Sequence, residues 1–245
     1  MQEIQAQAAQ YCDTCTGLDH CIMPMAGWVP VPPTGEAIEM YEGMEPEWSW
    51  RKCSHLNRAE SEKQQAAAMK GKWQERTLDT FKVDEQNKAA YQACLQYARR
   101  INPFIKDGLL IYGSVGTGKT HLAAGILKIA FSRGLDGVLI SVPDLLNEIR
   151  KSYNGDGERG RIEEKVRNKF IVVLDDLGAE NLTDWVREKL FTLINYRYET
   201  QKPLIITTNC TPAELTERVD VRITDRLREM CTTVQISGRS RRGRK

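Results

Sequence analysis

Residues 113–120 read Gly-Ser-Val-Gly-Thr-Gly-Lys-Thr and follow directly on the apolar run Leu109-Leu110-Ile111-Tyr112. This is the spacing G-x-x-x-x-G-K-T at the end of a buried strand. Its glycines let successive backbone N–H groups converge on one phosphate. Lys119 adds a point charge near the β- and γ-phosphates, and the Thr120 hydroxyl is placed to hold Mg²⁺. A helix predicted from Thr120 to about Arg133 aims its positive N-terminal end at the same anion. The chemistry implied is nucleotide binding through a P-loop.

A second run, Phe170-Ile-Val-Val-Leu, ends in Asp175 and Asp176. A fully buried parallel strand ends at the carboxyl edge of its sheet, where the P-loop also lies. Asp175 is then placed to orient the Mg²⁺ shell, and Asp176 to polarise a water for attack on the γ-phosphate. A third run, Pro203-Leu-Ile-Ile-Thr-Thr-Asn209, carries its polar residues to the same edge. Asn209 either bonds the attacking water or γ-phosphate, or simply caps its strand. Arg222 and Arg226 share a face of the helix that follows. They read either as a solvated charged face or as arginines aimed at a neighbouring subunit's phosphate.

Alternating strands and helices are needed to hold these residues. Strands are predicted near 109–112, 138–142, 170–174, 203–207 and 232–236, with helices near 120–133, 143–152, 161–168, 184–199, 211–217 and 221–229. This βαβ rhythm implies a parallel sheet with helices on both faces. Before it come a helix at 86–100, stopped by Asn102-Pro103, and a polar, Ala-rich helical connector from Asn57 to about Gln74.

Residues 1–56 differ in kind, being rich in Cys, Pro, Gly and Trp with little periodicity. Cys12-Asp-Thr-Cys15 has the gap with which two thiolates grip one Zn²⁺, and Cys21 and Cys53 complete a set of four. His20 and His55 are alternate ligands. A segment so poor in aliphatic residues needs such a staple to fold. A redox pair at Cys12/Cys15 would instead call for a thioredoxin-like βαβ context, which is absent.

The chain has 245 residues and a net charge of +2. Eight of the 33 acids and none of the 35 bases lie in residues 1–50, so that segment carries −8 and the rest +10. The division suggests a protein partner for the acidic end and phosphate-rich ligands for the remainder. No apolar stretch reaches membrane-spanning length and the N-terminus lacks signal-peptide features, so a cytoplasmic protein with reduced cysteines is expected.

Taken together these residues resemble the bacterial and phage helicase loaders of the DnaC/DnaI type, which are AAA+ ATPases. The likeness rests on Cys12, Cys15, Cys21 and Cys53 with Gly27-Trp28 between, on Thr77-Leu-Asp-Thr-Phe81, on 113–120 with His121-Leu122, on Leu174-Asp-Asp-Leu-Gly-Ala-Glu180, and on Ile206-Thr-Thr-Asn209. It implies an α/β P-loop AAA+ core with a five-stranded parallel sheet and no full helical lid. The domains would be a zinc-binding, helicase-interacting module at 1–56, a helical linker at 57–76 and the ATPase at 77–245.

ATP, Mg²⁺ and Zn²⁺ are the implied cofactors. Gly113, Ser114, Val115, Gly116, Thr117, Gly118, Lys119, Thr120 and His121 would cradle the nucleotide. Thr120 and Asp175 would hold Mg²⁺. Asp176 stands where many AAA+ proteins have Glu, and Asn209 matches the polar sensor. Arg226 matches the arginine finger, and Arg242 the arginine that senses nucleotide from the tail. Arg150, Lys151, Tyr153, Arg159 and Arg161 sit where the family meets single-stranded DNA. Partners would be a replicative DnaB-type helicase, single-stranded DNA and further copies of the chain, in a ring or spiral that could be hexameric, with no membrane. Competing readings are an IstB-like transposase helper, a non-hydrolysing nucleotide-bound adaptor and, less well matched, a small-molecule kinase.

Overall fold

The apolar runs become strands because each feeds two cores at once. In the computed structural model, which describes residues 28–31, 49–52, 69, 71–153, 161–179 and 183–241, contacts divide the chain into two units, residues 1–63 and 64–245. The first unit contributes two short antiparallel strands, β1 (Trp28–Val31) and β2 (Ser49–Lys52), with Trp28 opposite Lys52 and Val31 opposite Ser49. Sequence reading did not anticipate them. Four residues including Pro30 give no alternation to detect. Cys12, Cys15, Cys21 and Cys53, with His20 and His55, lie outside the described residues.

The second unit holds a parallel sheet of β3 (Gly108–Tyr112), β4 (Gly137–Ser141), β5 (Ile171–Asp175), β6 (Leu204–Thr208) and β7 (Cys231–Gln235), in the order β4-β5-β6-β3-β7. The expected five-stranded α/β architecture is therefore present. β5 and β6 are buried at every position, whereas the edge strand β7 is buried only at Cys231 and Val234. Along each central strand successive side chains enter opposite layers. Leu109, Ile111, Ile171, Val173 and Ile205 join one core. Leu110, Val172, Leu174, Leu204 and Ile206 join the other.

The first core is covered by α1 (Lys88–Arg100) and α2 (Lys119–Ser132). α2 is apolar on nearly every side, burying Leu122, Ile126, Leu127 and Phe131, as a helix enclosed by its own domain must. The second is covered by α3 (Val142–Tyr153), α4 (Arg161–Asn168), α5 (Asp184–Glu199), α6 (Pro212–Arg218) and α7 (Val221–Met230). α6 begins at a reciprocal capping box in which the Thr211 hydroxyl accepts from the Glu214 N–H and Glu214 reaches back to the Thr211 N–H.

Of the expected helical connector, Gly71–Glu75 is a 3₁₀ helix. Met69 just before it is fully buried and Trp73 packs on the same core as α1 and α2. Lys128 of α2 donates to the Gln74 carbonyl. The end of the connector is thus built into the second unit.

Arg197 of α5 is fully buried. Its guanidinium donates to the carbonyls of Lys169, Phe170 and Pro203 at 3.0, 2.6 and 2.7 Å. It clamps the entries of β5 and β6 side by side. Burial lowers its pKa to about 10, so it stays charged. No helix among the described residues is long and apolar enough to cross a membrane.

Candidate nucleotide site

The carboxyl ends of β3, β5 and β6 open on a cavity of about 280 Å³. Gly116, Gly118, Lys119, Thr120, His121, Asp176 and Asn209 form its base, and Trp73, Arg76, Thr80, Phe81, Lys82 and Arg241 its walls. β3 leads into the loop 113–118. Gly116 has φ 82° and a Cβ there would sit 2.2 Å from the Ser240 hydroxyl. Gly118 has φ 109° and a Cβ would strike the Phe81 ring at 2.6 Å. Both positions exclude side chains on two counts, conformation and space. Ser114 and Val115 form the exposed tip, and the buried Thr117 hydroxyl closes the loop by donating to the Ser114 carbonyl at 2.9 Å.

Lys119 is only 5% exposed. Its ammonium donates to the carbonyls of Gly113 and Ser114 at 2.8 Å each and to Asn209 Oδ1 at 2.7 Å. These bonds occupy the charge within the loop itself and can be exchanged for phosphate oxygens. Asn209 in turn donates through Nδ2 to Asp176 Oδ1 at 3.3 Å. One amide therefore links the lysine of β3–α2 to the carboxylate after β5.

Asp175 is buried and accepts from the Thr207 hydroxyl at 2.6 Å. Burial raises its pKa; the Thr207 and Thr120 hydroxyls oppose that shift, Asp176 reinforces it and Lys119 opposes it. The pair Thr120 and Asp175 supplies adjacent hard oxygen donors, the kind Mg²⁺ takes, beside the phosphate loop. Asp176 is half-exposed and has φ 59°, an uncommon left-handed conformation for a non-glycine residue. Its N–H is held by Thr207 Oγ1 at 3.0 Å. The turn aims the carboxylate into the cavity at the cost of some strain.

His121 Nε2 lies 2.8 Å from the Thr77 carbonyl and 3.2 Å from Thr80 Oγ1. Burial first, then the nearby cations Arg76, Arg241 and Lys128, lower its pKa against the opposing Thr77 bond, so the ring is neutral at pH 7 and donates to Thr77. Its edge meets Phe81 at 5.3 Å, and Phe81 stacks on Tyr91 at 5.7 Å. His121 therefore fixes the wall through Thr77–Phe81.

Arg242 lies outside the described residues. Its neighbour Arg241 lines the cavity, with its N–H on the Gly116 carbonyl at 2.9 Å and its guanidinium 5.0 Å from the Phe81 ring centre. That guanidinium also donates to the Lys82 carbonyl and to Asp84 at 2.5 Å. Sequence reading missed Arg241, Phe81, Trp73 and Arg76 as wall residues. The only signals were the arginine-rich tail and the Thr77–Phe81 block.

Arg226 does not line this cavity; it lies on α7, bonded to Asn195 of α5. Arg222 on the same helix pairs with Asp220. Arg150 is exposed over the Trp185 ring at 4.9 Å, and Lys151 is exposed and pairs with Glu148 at 3.0 Å. Tyr153 closes α3 and Arg161 opens α4, while Arg159 lies outside the described residues. Among the described residues no group of three or more His, Cys, Asp or Glu could hold a metal ion.

Residues 44–245 match the family described as IstB-like ATP binding protein. The replicative helicase loader DnaI of Bacillus subtilis (strain 168) is 24% identical over 260 residues, covering 96% of this chain and 80% of that protein. The crystal structure of the DnaC helicase loader superposes with a TM-score of 0.64 at 30% identity, covering 69% of this chain and all of that one. Replication initiator DnaA bound to AMPPCP and single-stranded DNA gives a TM-score of 0.60 at 25% identity, over 67% of this chain and only half of the other.

Proposed function

The chain belongs to the IstB-like ATP-binding family, and on that premise we propose that it is an ATP-dependent loader, delivering a replicative DNA helicase onto single-stranded DNA as replication begins. The observation that carries the reading is the extent of the likeness to DnaI, which spans 96% of the chain and so takes in the N-terminal unit as well as the ATPase core. A transposase-helper ATPase would share the core, but the family match begins at residue 44 and leaves most of the N-terminal unit without a role.

In this reading the loop amides and Lys119 hold the β- and γ-phosphates, Lys119 exchanging its bonds to Gly113, Ser114 and Asn209 for phosphate oxygens. Thr120 and Asp175 hold Mg²⁺, which neutralises charge on the phosphates when bound. Asp176 accepts the proton of the attacking water, and Asn209, already bonded to Asp176, orients it. Phe81, Trp73 and Arg241 wall the remainder of the nucleotide. Arg226, remote from its own cavity, serves the site of a second copy, so turnover requires assembly. Arg150 and Lys151, with the segment after α3, meet the DNA backbone. The acidic N-terminal module, residues 1–56, grips the helicase.

The test is capture. The purified protein is expected to retain the replicative helicase of its host, and single-stranded DNA is expected to raise its ATP turnover several-fold. Neither effect, or capture instead by a transposase on duplex DNA, overturns the reading.

Cys12, Cys15, Cys21 and Cys53 are proposed to bind one zinc ion per chain, the thiolate set such an ion prefers. Elemental analysis of the full protein should find that stoichiometry. Cys15→Ser should abolish it together with helicase capture, leaving ATP affinity within about twofold, because the phosphate cradle is built wholly from the second unit. A metal-free wild type that still captures helicase removes zinc from the account.

A further inference from the structure

α7 carries three arginines, and among the described residues only one of them is left without a counter-ion. Arg222 is held by both oxygens of Asp220, at 3.2 and 3.0 Å. Arg228 pairs with Asp225 at 3.0 Å. Arg226 has no carboxylate in ion-pair range among the described residues, although two lie on the neighbouring turns. Each of those carboxylates is engaged elsewhere: Glu229 accepts from the Tyr198 hydroxyl at 2.5 Å, and Glu199 accepts from Asn195 Nδ2 at 2.8 Å.

Arg226 is nevertheless fixed. Its Nε donates to Asn195 Oδ1 at 2.5 Å and its Nη1 to the Arg222 carbonyl at 3.1 Å. The guanidinium lies 4.8 Å from the Phe191 ring centre and 5.6 Å from that of Tyr198. The Asn195 amide is oriented unambiguously, since its oxygen must face a guanidinium and its nitrogen a carboxylate. Nη2 has no acceptor among the described residues. A half-buried cation with Nε and Nη1 held, packed faces and Nη2 without an acceptor among the described residues is prearranged for an anion it does not yet meet.

We propose that Asn195 is the positioning residue of Arg226, holding the guanidinium's Nε so that its Nη2 meets the phosphate bound by a second copy of this chain. The inference rests on the reading above that Arg226 acts between copies. It also explains why Arg226 rather than Arg222 is suited to the task, although sequence places both on one helical face: Asp220 has already neutralised Arg222.

ATP turnover of the full-length protein on single-stranded DNA tests this. Asn195→Ala should lower kcat about tenfold with KM within about twofold, the signature of an interaction made in the transition state. Asn195→Gln, which keeps the amide one methylene further out, should show a smaller loss of the same kind. Equal mixtures add a readout that a structural brace would not move. Asn195→Ala mixed with Lys119→Ala should regain activity, since one chain supplies an intact cradle and the other an intact Asn195–Arg226 pair. Asn195→Ala mixed with Arg226→Ala should not, because neither chain holds both partners. Wild-type kcat in both Asn195 variants, a lowered melting temperature with unchanged kcat, or recovery in the second mixture overturns the proposal. If Arg226→Ala mixed with Lys119→Ala stays inactive, the premise of action between copies has failed, and the proposal with it.

Discussion

Lys119→Ala is expected to weaken ATP binding by roughly 100-fold or more and to abolish turnover. Two charge-assisted bonds to phosphate, at about 1.5–3 kcal/mol each, are lost with the ammonium. The substitution also removes the bonds Lys119 makes to the Gly113 and Ser114 carbonyls and Asn209 Oδ1. Ser114 and Asn209 are exposed and the Ser114 carbonyl keeps the Thr117 hydroxyl, so water can replace the ammonium and the stability loss should stay at about 1 kcal/mol. Nucleotide titration should therefore be run beside a thermal melt. If the chain remains folded and binds ATP as tightly as the wild type, the phosphate is held elsewhere and the assignment of the cavity is wrong.

That site was largely legible in the sequence, for a physical reason. Each core strand observed lies within one residue of its expected position, because β3, β5 and β6 are continuous apolar runs buried on both faces. Their polar ends, Asp175, Asp176 and Asn209, fall at one sheet edge by topology alone. What could not be read was anything that depends on packing between distant segments. Trp73 reads as a linker residue and Phe81 only as the end of a motif block, yet the 3₁₀ turn at Gly71–Glu75 is bonded to α2 and both line the cavity. An arginine-rich tail gives no register: among the described residues Arg241 lines the cavity, while Arg242, the expected sensor, lies outside them. Arg197 looks like any surface arginine of a helix; only the fold reveals that the backbone carbonyls of Arg167, Lys169, Phe170 and Pro203 close over it.

The same logic separates the two adjacent aspartates. Asp175 is buried against Thr207 and serves through its oxygens' position, whereas Asp176 projects from a left-handed turn held by its own N–H on the Thr207 hydroxyl and by the Leu177 N–H on the Thr207 carbonyl. A positive φ is tolerated by Asn as well as by Asp. Asp176→Asn therefore keeps the turn and keeps an oxygen for Asn209 Nδ2, while removing the proton acceptor.

Turnover should accordingly fall by about 10²–10⁴, the usual contribution of a general base, with ATP affinity within about threefold. Affinity should hold because the group acts on water and not on the phosphates. Steady-state hydrolysis and nucleotide titration on the same preparation check both halves. A variant as active as wild type would move water activation to another residue. Equal, background rates in both proteins would mean that the bound nucleotide only supports the fold, which is the adaptor reading. A large loss of affinity would instead show that Asp176 contacts the nucleotide directly and that the division of labour between the two aspartates is drawn in the wrong place.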